Sequence, residues 1–259
     1  MMGQDGGDAV GVYNAEAIVL RTRDFDEADK ILVMLTREEG KIQAVAKGAR
    51  RPRGRYAAAA QIFTQVKASL YHGRNLDTLS QVEIVESFRH LREDLLRMAY
   101  GSYICELMDE MLREKQRYES TYLLLLTTLH LLNEPDLPPE PTRRAYELKL
   151  FSILGFRPSF EECVACNKPL GPGPVVRFAP ALGGVLCPTC PAEGEVVHRL
   201  SRGTLETMKR LLDGDIRKAY MVRIAADMAG EIDRAIADYI KVRTERPLKS
   251  KEFLDELRV

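Results

Sequence analysis

The sequence contains no apolar run long enough to cross a membrane and no segment typical of an exported protein. Its longest run of leucines, residues 123–126, is four residues long, whereas a membrane-spanning helix needs about 20 apolar residues. The first fourteen residues contain Gly and Asp where a signal peptide has basic and then apolar residues. We therefore predict a disordered leader over residues 1–14 of a cytoplasmic, globular protein.

Motifs of the common nucleotide-dependent and hydrolytic enzymes are also missing. Gly40-Lys41 lacks the preceding glycine and the following hydroxyl residue of a phosphate-binding loop, and neither HExxH nor GxSxG occurs. The four histidines have no neighbours that indicate a metal site or a catalytic triad. Acidic pairs sit beside Arg and Lys, as they do on solvated helix faces. We expect no catalytic residue and no enzymatic activity.

Net charge is absent as well, because 38 basic residues balance 38 acidic ones. The distribution along the chain is uneven, however. Residues 41–76 contain eight basic residues and no acidic one, while acidic residues are concentrated just upstream between Asp24 and Glu39. Such a basic stretch predicts a positive face for phosphates. The alternatives are an ordinary solvated surface and pairing of the arginines with the acidic stretch.

The first third of the chain has the pattern of short β-strands. Five segments rich in Ile, Val, Leu, Thr and Tyr are separated by turn residues, and they cover residues 15–22, 30–36, 41–47, 62–71 and 76–85. This spacing predicts a small five-stranded barrel of the OB type over residues 15–86, although an SH3-like barrel would have a similar pattern.

The fourth predicted strand alternates between two kinds of side chain. Val66, Ala68 and Leu70 fall on one face with Ile62 and Thr64, and the other face carries Phe63, Gln65, Lys67 and Tyr71. Aromatic and basic groups on one face could stack on bases and neutralise the backbone of a nucleic acid, or the rings could simply pack under a neighbouring loop. The candidate DNA contacts are therefore Lys41, Lys47, Arg50, Arg51, Arg53, Arg55, Phe63, Lys67, Tyr71 and Arg74.

Beyond Ser87 the spacing of apolar residues changes from every second residue to every third or fourth residue. Phe88, Leu91, Leu95 and Met98 continue into a helix that reaches about residue 107. Further helices are predicted over residues 118–132, 143–154, 204–212 and about 222–242. We therefore expect a multi-domain α+β chain in which an all-α domain, residues 87–259, follows the barrel.

Four of the five cysteines form two CxxC pairs separated by twenty residues. Two such pairs at this distance are typical of a zinc ribbon, in which each turn supplies two thiolates to one tetrahedral ion. We predict one structural Zn²⁺, bound within an insertion at about residues 160–192, because four cysteines leave no open position for water. The predicted ligands are Cys163, Cys166, Cys187 and Cys190.

Other interpretations of the cysteines have less support. Cys187-Pro-Thr-Cys190 has the spacing of a redox dithiol but no thioredoxin-like βαβ pattern around it. Disulfides are not expected in a chain without an export signal, and a lost metal site is a further alternative. Cys105 lies on an apolar helix stripe and is interpreted as a core residue.

Eight short stretches, taken in order, resemble the bacterial RecO DNA repair proteins. The two cysteine pairs belong to the same resemblance, which covers nearly everything after residue 14. The stretches are residues 17–22 (AIVLRT), 27–31 (EADKI), 40–41 (GK), 46–51 (AKGARR), 76–79 (LDTL), 91–94 (LRED), 154–158 (LGFRP) and 246–250 (RPLKS).

The resemblance implies an N-terminal OB-fold and a helical domain with a zinc-binding insertion. It implies a recombination mediator, associated with the nucleoid, that binds single- and double-stranded DNA and anneals complementary strands without ATP. It also implies partners: RecR, sometimes RecF, single-strand-binding protein and, indirectly, RecA. Some members of the family lack the four cysteines, which agrees with a structural metal.

Two other classes of function remain open at the level of sequence. A zinc-ribbon scaffold could contact RNA or a protein partner through the basic stretch. A nuclease could use scattered carboxylates, and it would then show cleavage that depends on divalent metal.

Overall fold

The structure, a computed structural model, describes residues 11–258 and contains two compact units. The first unit comprises residues 11–88 together with Leu112–Tyr122. The second comprises Arg89–Met111 and residues 123–258. The segment Leu112–Tyr122 therefore belongs with the barrel, although it follows the first two helices in the sequence.

The first unit is built on a closed five-stranded barrel with the strand order β1-β2-β3-β5-β4. Neighbouring strands are antiparallel except β3 and β5, whose short parallel contact pairs Ala44 with Asp77 and closes the barrel. The expected OB-type barrel is confirmed. The strands are β1 (Val12–Phe25), β2 (Asp29–Thr36), β3 (Gly40–Ala46), β4 (Gln65–Tyr71) and β5 (Asp77–Glu86).

Strand β1 is long because it pairs with two partners. Its first half, Val12 to Ile18, pairs with β4, and its second half, Ala17 to Phe25, pairs with β2. The register shifts by one residue between Val19 and Arg21, which is the signature of a β-bulge. A bulge bends the strand and increases its twist, so one strand can serve both sides of the barrel.

The beginning of β1 differs from the predicted disordered leader. Residues 12–14 are paired with β4, and the Tyr13 hydroxyl donates a hydrogen bond to the buried carboxylate of Asp77. The composition of residues 12–14 did not indicate a strand, because these residues pair with β4, which lies more than fifty positions later in the chain. Residues 1–10 of the predicted leader lie outside the described residues.

The face assignment of the fourth strand is confirmed from Val66 onward and is wrong at Gln65, which was predicted to face outward but is buried. Val66, Ala68 and Leu70 are buried, whereas Lys67 and Tyr71 point outward. Phe63 lies in a turn with φ of 71° and is fully buried. The backbone N–H of Phe63 donates to the carbonyl of Val19 (2.8 Å) at the β1 bulge. A turn breaks the alternation of a strand, so the period of two did not apply there.

The segment Leu112–Tyr122 packs along the edge of β3. The N–H of Lys115 donates to the carbonyl of Lys41 (2.9 Å), and Arg37 pairs with Glu119 (2.8 Å). Gly40 has φ of +73°, and a Cβ at this position would lie 2.1 Å from the carbonyl oxygen of Gln116. Only glycine permits this close approach.

The second unit consists of helices and one small sheet. The helices confirm the predicted helical region, but the sequence did not predict the helix Lys249–Glu256, the 3-10 helix Ile216–Met221 or the short strands Gly184–Leu186 and His198–Ser201. The elements are α1 (Arg89–Glu93), α2 (Leu95–Met111), α3 (Glu119–Asn133, of which residues 119–122 belong to the first unit), α4 (Pro139–Ile153), β6 (Val175–Ala179), β7 (Gly184–Leu186), β8 (His198–Ser201), α5 (Arg202–Asp213), a 3-10 helix (Ile216–Met221), α6 (Ala226–Lys241) and α7 (Lys249–Glu256).

A buried ionic network joins α4 to α6 inside this unit. Arg143 pairs with Glu147 (2.6 Å) on its own helix and with Asp233 (2.5 Å) on α6, and the side chains of Arg143 and Glu147 are 1% and 0% exposed. Arg144 also pairs with Asp233 (2.7 Å). Burial raises the pKa of Asp233, but hydrogen bonds and charges from the two arginines outweigh it, and the net pKa lies well below its usual range.

Replacing Asp233 with Asn should destabilise the protein by about 3 kcal/mol at neutral pH, because the buried guanidinium of Arg144 loses its counter-charge and that of Arg143 keeps only Glu147. The folded-state pKa of Asp233 is depressed, so its stabilisation is present above the unfolded pKa of about 3.9 and is lost as the pH falls towards the folded value. Urea unfolding at neutral pH and near pH 3 measures both effects. The difference between wild type and variant should shrink at the lower pH.

Asp255→Asn is the matched control, because Asp255 makes an exposed i,i+4 pair with Lys251. This variant should change the free energy of unfolding by about 0.5 kcal/mol or less. Equal effects of the two substitutions would show that the α4–α6 network contributes nothing particular to stability.

Candidate metal centre and nucleic-acid interface

The two cysteine pairs converge on one point of the second unit. The four sulfur atoms all lie within 4.8 Å of one another, and they belong to Cys163, Cys166, Cys187 and Cys190. The Cys166 and Cys187 sulfurs are 3.8 Å apart, far beyond the roughly 2.05 Å of a disulfide bond. The four thiols are free and positioned to hold a metal ion.

The first cysteine turn is held by its own backbone. The N–H of Cys163 donates to the carbonyl of Lys168 (2.9 Å), and the N–H of Asn167 donates back to the carbonyl of Cys163 (2.8 Å). Asn167 has φ of 57°, a left-handed conformation that Asn tolerates better than most residues. This turn places both of its sulfurs on the same side.

The second cysteine turn is held by an arginine from the neighbouring strand. Arg177 on β6 donates from Nη1 to the carbonyls of Cys187 (3.1 Å) and Cys190 (2.8 Å). The Thr189 hydroxyl lies 3.1 Å from the Cys187 sulfur. This hydrogen bond is the main cause that lowers the pKa of Cys187 to about 6, which favours the thiolate, the form that binds metals.

Gly184 brings the two turns together. The N–H of Val185 donates to the carbonyl of Ser159 (3.0 Å), and the N–H of Val164 donates to the carbonyl of Val185 (2.9 Å). A Cβ at position 184 would lie 2.5 Å from the Ser159 carbonyl oxygen. The segment that carries Cys163 can therefore approach β7 only because residue 184 has no side chain.

The basic loop, defined here as residues 48–55, is anchored to the turn between β1 and β2. The N–H of Gly48 donates to the carboxylate of Asp29 (2.8 Å), and the N–H of Arg50 donates to the carbonyl of Ala28 (2.9 Å). The chain between these bonds and Gly54 runs through consecutive turns.

The acidic stretch neutralises one arginine of this loop. Arg50 lies 3.4 Å from the Asp24 carboxylate and donates to the carbonyl of Asp26 (2.8 Å). Arg51 and Arg53 are exposed, and neither forms an ion pair within the part of the chain that the structure describes. The Arg55 guanidinium lies over the ring of Tyr56, 5.3 Å from its centroid. The alternative of acidic pairing thus holds for Arg50.

The free arginines line one open depression of about 640 Å³ together with Lys47. Lys67 lies outside this depression, opposite Glu16 on β1 and Glu83 on β5, so two carboxylates flank its charge. The structure brings together Lys47, Arg51, Arg53 and Arg55.

The remaining candidates lie apart from this group. Lys41 is near the beginning of β3, Tyr71 ends β4 and is 41% exposed, and Arg74 is exposed between β4 and β5. Phe63 is a correction, because a fully buried ring is not available to stack on a base.

Sequence reasoning missed the residues that support both sites. Asp29 and Ala28 anchor the basic loop, and Arg177 and Thr189 bond to the second cysteine turn. Asp29 and Ala28 lie in residues 27–31, one of the stretches that resemble the RecO proteins, and this resemblance could have indicated them. No comparable signal marked Arg177, whose role depends on the pairing of β6 with β7.

Two family models match this chain, one over the barrel and one over the helical region. A family model described as Recombination protein O N terminal matches residues 11–88, and one described as Recombination protein O C terminal matches residues 92–252. The chain belongs to the RecO family. This confirms the resemblance found in the sequence and places the chain among proteins of DNA repair and recombination.

Curated relatives of the same family match over nearly the full length. A DNA repair protein RecO of Symbiobacterium thermophilum is 65% identical over 250 residues, which are 96% of this chain and 99% of the relative. A DNA repair protein RecO of Pelotomaculum thermopropionicum is 41% identical and covers 94% of each chain. Among residues 11–258, no helix combines the length and apolar character that a membrane span requires.

Replacing Gly184 with Ala should destabilise the cysteine region by about 2 kcal/mol, because the new methyl group overlaps a backbone carbonyl. Hydrogen exchange should show lost protection around residues 159–166 and 184–190. Gly194→Ala is the control, since Gly194 has φ of +75° with nothing within 4 Å of the added Cβ. This variant should lose about 1 kcal/mol of stability, because alanine is less stable than glycine in the left-handed conformation. Unchanged protection in Gly184→Ala would contradict the close packing of Gly184 against the backbone of Ser159.

Proposed function

We propose that this protein is a non-enzymatic recombination mediator that binds single- and double-stranded DNA and anneals complementary strands without ATP. Together with RecR it helps to load RecA onto DNA coated by single-strand-binding protein, and it acts at the nucleoid. One observation carries the proposal: in a RecO-family chain with an OB barrel, Lys47, Arg51, Arg53 and Arg55 line a single depression.

The chemistry of the basic loop fits annealing. Guanidinium groups neutralise phosphates of any sequence, and phosphate contacts position a strand without reading its bases. Bases that the protein does not read stay free to pair with a complementary strand. The anchor from Asp29 and Ala28 fixes the root of the loop, so the charges are presented at a defined place on the barrel.

We also propose that the bound metal is Zn²⁺, one ion per chain, with a structural role. Four sulfurs at about 2.3 Å from a tetrahedral zinc ion are separated from one another by about 3.8 Å. The observed distance between Cys166 and Cys187 is 3.8 Å. Four thiolates are the donor set of structural zinc sites, and the ion would hold the two turns together.

The decisive experiment for DNA binding is charge reversal at Arg51, Arg53 and Arg55. Each phosphate contact contributes about 0.7 to the slope of log affinity against log salt for single strands, so the triple Glu variant should flatten that slope by about 2. Binding should weaken for all sequences alike. Fluorescence anisotropy with labelled oligonucleotides at several salt concentrations measures both quantities, and strand annealing without nucleotide should be impaired in parallel.

A matched control reverses three exposed cations elsewhere, Lys218, Arg223 and Arg234, for which the structure shows no ion pair among residues 11–258. This variant should keep the wild-type slope. If the basic-loop variant folds and binds like wild type, the loop is not the DNA site. An equal preference for RNA would instead favour the scaffold alternative.

Replacing Cys163 or Cys190 with Ser should release the zinc. Metal analysis of purified wild-type protein should find about one zinc per chain, and the variants should hold much less. Because structural zinc contributes roughly 10–16 kcal/mol of apparent binding free energy in small peptides, the cysteine region should unfold locally. Cys105→Ser is the control, because Cys105 is buried on α2 and is not among the clustered thiols. Wild-type protein that contains another metal, or none, would disprove the zinc assignment.

A further inference from the structure

A second cationic surface lies in the helical unit, beside the cysteine turns. It is a cleft of about 550 Å³ between the β6–β8 sheet and the loops that flank it. We call it the arginine cleft, because Arg177, Arg199 and Arg202 are its charged members. Its apolar walls are formed by Leu170, Pro172, Val175, Leu186, Pro188 and Val197.

Two of the arginines in this cleft lie close enough to repel each other. Arg177 on β6 and Arg199 on β8 are direct cross-strand partners. Like charges in such positions lie only about 5 Å apart at Cβ and destabilise a sheet. A fold that keeps two cations opposite each other retains an unfavourable interaction that a bound anion would relieve.

The bonds of these arginines leave their charge uncompensated. Arg177 donates to the carbonyls of Cys187 and Cys190, and Arg202 donates to the carbonyls of Gly171 (2.6 Å) and Gly173 (3.3 Å). Within residues 11–258, none of the three forms an ion pair with a carboxylate, in contrast to Arg157, which pairs with Asp213. Neutral carbonyls thus hold two of the guanidinium groups in place while their positive charge remains available.

We propose that the arginine cleft binds one nucleotide unit of a DNA strand, with the phosphate on the guanidinium groups and the base against the apolar walls. The planar fork of a guanidinium matches phosphate oxygens in pairs, and a cleft with apolar sides suits the face of a base. This inference rests on the proposed DNA-binding function and adds a second strand site, in the other unit from the basic loop. Two sites would allow one chain to hold two strands.

The test uses full-length, zinc-loaded protein and a labelled single-stranded oligonucleotide. Arg199→Glu is the informative variant, because Arg199 is exposed and its side chain makes no bond that the structure shows in the described part of the chain. Loss of one charge-assisted contact should weaken binding about tenfold and flatten the salt slope by about 0.7. Arg223→Glu, an equal charge change at an exposed loop position, should alter neither quantity.

Two further measurements separate this proposal from its alternatives. An oligonucleotide carrying 4-thiothymidine should crosslink to the peptides that line the cleft, and the crosslink should be lost in Arg199→Glu but kept in the basic-loop triple variant. If Arg199→Glu binds DNA like Arg223→Glu and no such crosslink forms, the cleft is not a DNA site. If Arg199→Glu loses affinity for a polyglutamate peptide but not for DNA, the ligand is an acidic peptide and the proposal is wrong.

The outcomes also distinguish this proposal from the proposed function. Wild-type protein that binds no DNA would overturn both. If wild-type binding depends on the basic loop but not on Arg199, the proposed function stands and only the assignment of the cleft as a DNA site is wrong.

Discussion

Hydrogen bonding along β1 is the interaction on which the first unit depends. One half of this strand pairs with β4 and the other half with β2, and the bulge near Val19 lets it turn from one partner to the other. The turn after β1 then supplies Ala28, and the start of β2 supplies Asp29, and these two residues anchor the basic loop. The position of the cationic surface is therefore a consequence of how the barrel closes.

Charge compensation explains which cations remain available. The chain is neutral overall, so each free guanidinium depends on the local absence of a carboxylate. Arg50 meets Asp24, and Lys67 is flanked by Glu16 and Glu83. Arg51 and Arg53, like the arginines of the cleft, have no such partner in the described chain. A neutral protein can present cationic surfaces in this way because pairing is decided by tertiary contacts rather than by composition.

The sequence was sufficient for features whose cause is local. The strands of the barrel follow from alternation, and the clustering of the four thiols follows from the spacing of the two CxxC pairs. Features that depend on distant pairing were not predictable. Phe63 is buried because its turn bonds to the β1 bulge, and Arg50 is neutralised by Asp24 on β1, which is distant from it in the sequence. The short strands β7 and β8 carry too few residues for a period to emerge.

The close contact between Gly40 and Gln116 has a consequence for how the protein is made. The chain leaves the first unit after Phe88, forms α1 and α2, and returns with Leu112–Tyr122 to cover the edge of β3. A ribosome therefore releases all five barrel strands before the segment that completes their unit. Until that segment arrives, the backbone around Lys41 is an open strand edge, which is a site for unwanted association between nascent chains. A protein truncated after β5 would keep that edge open permanently.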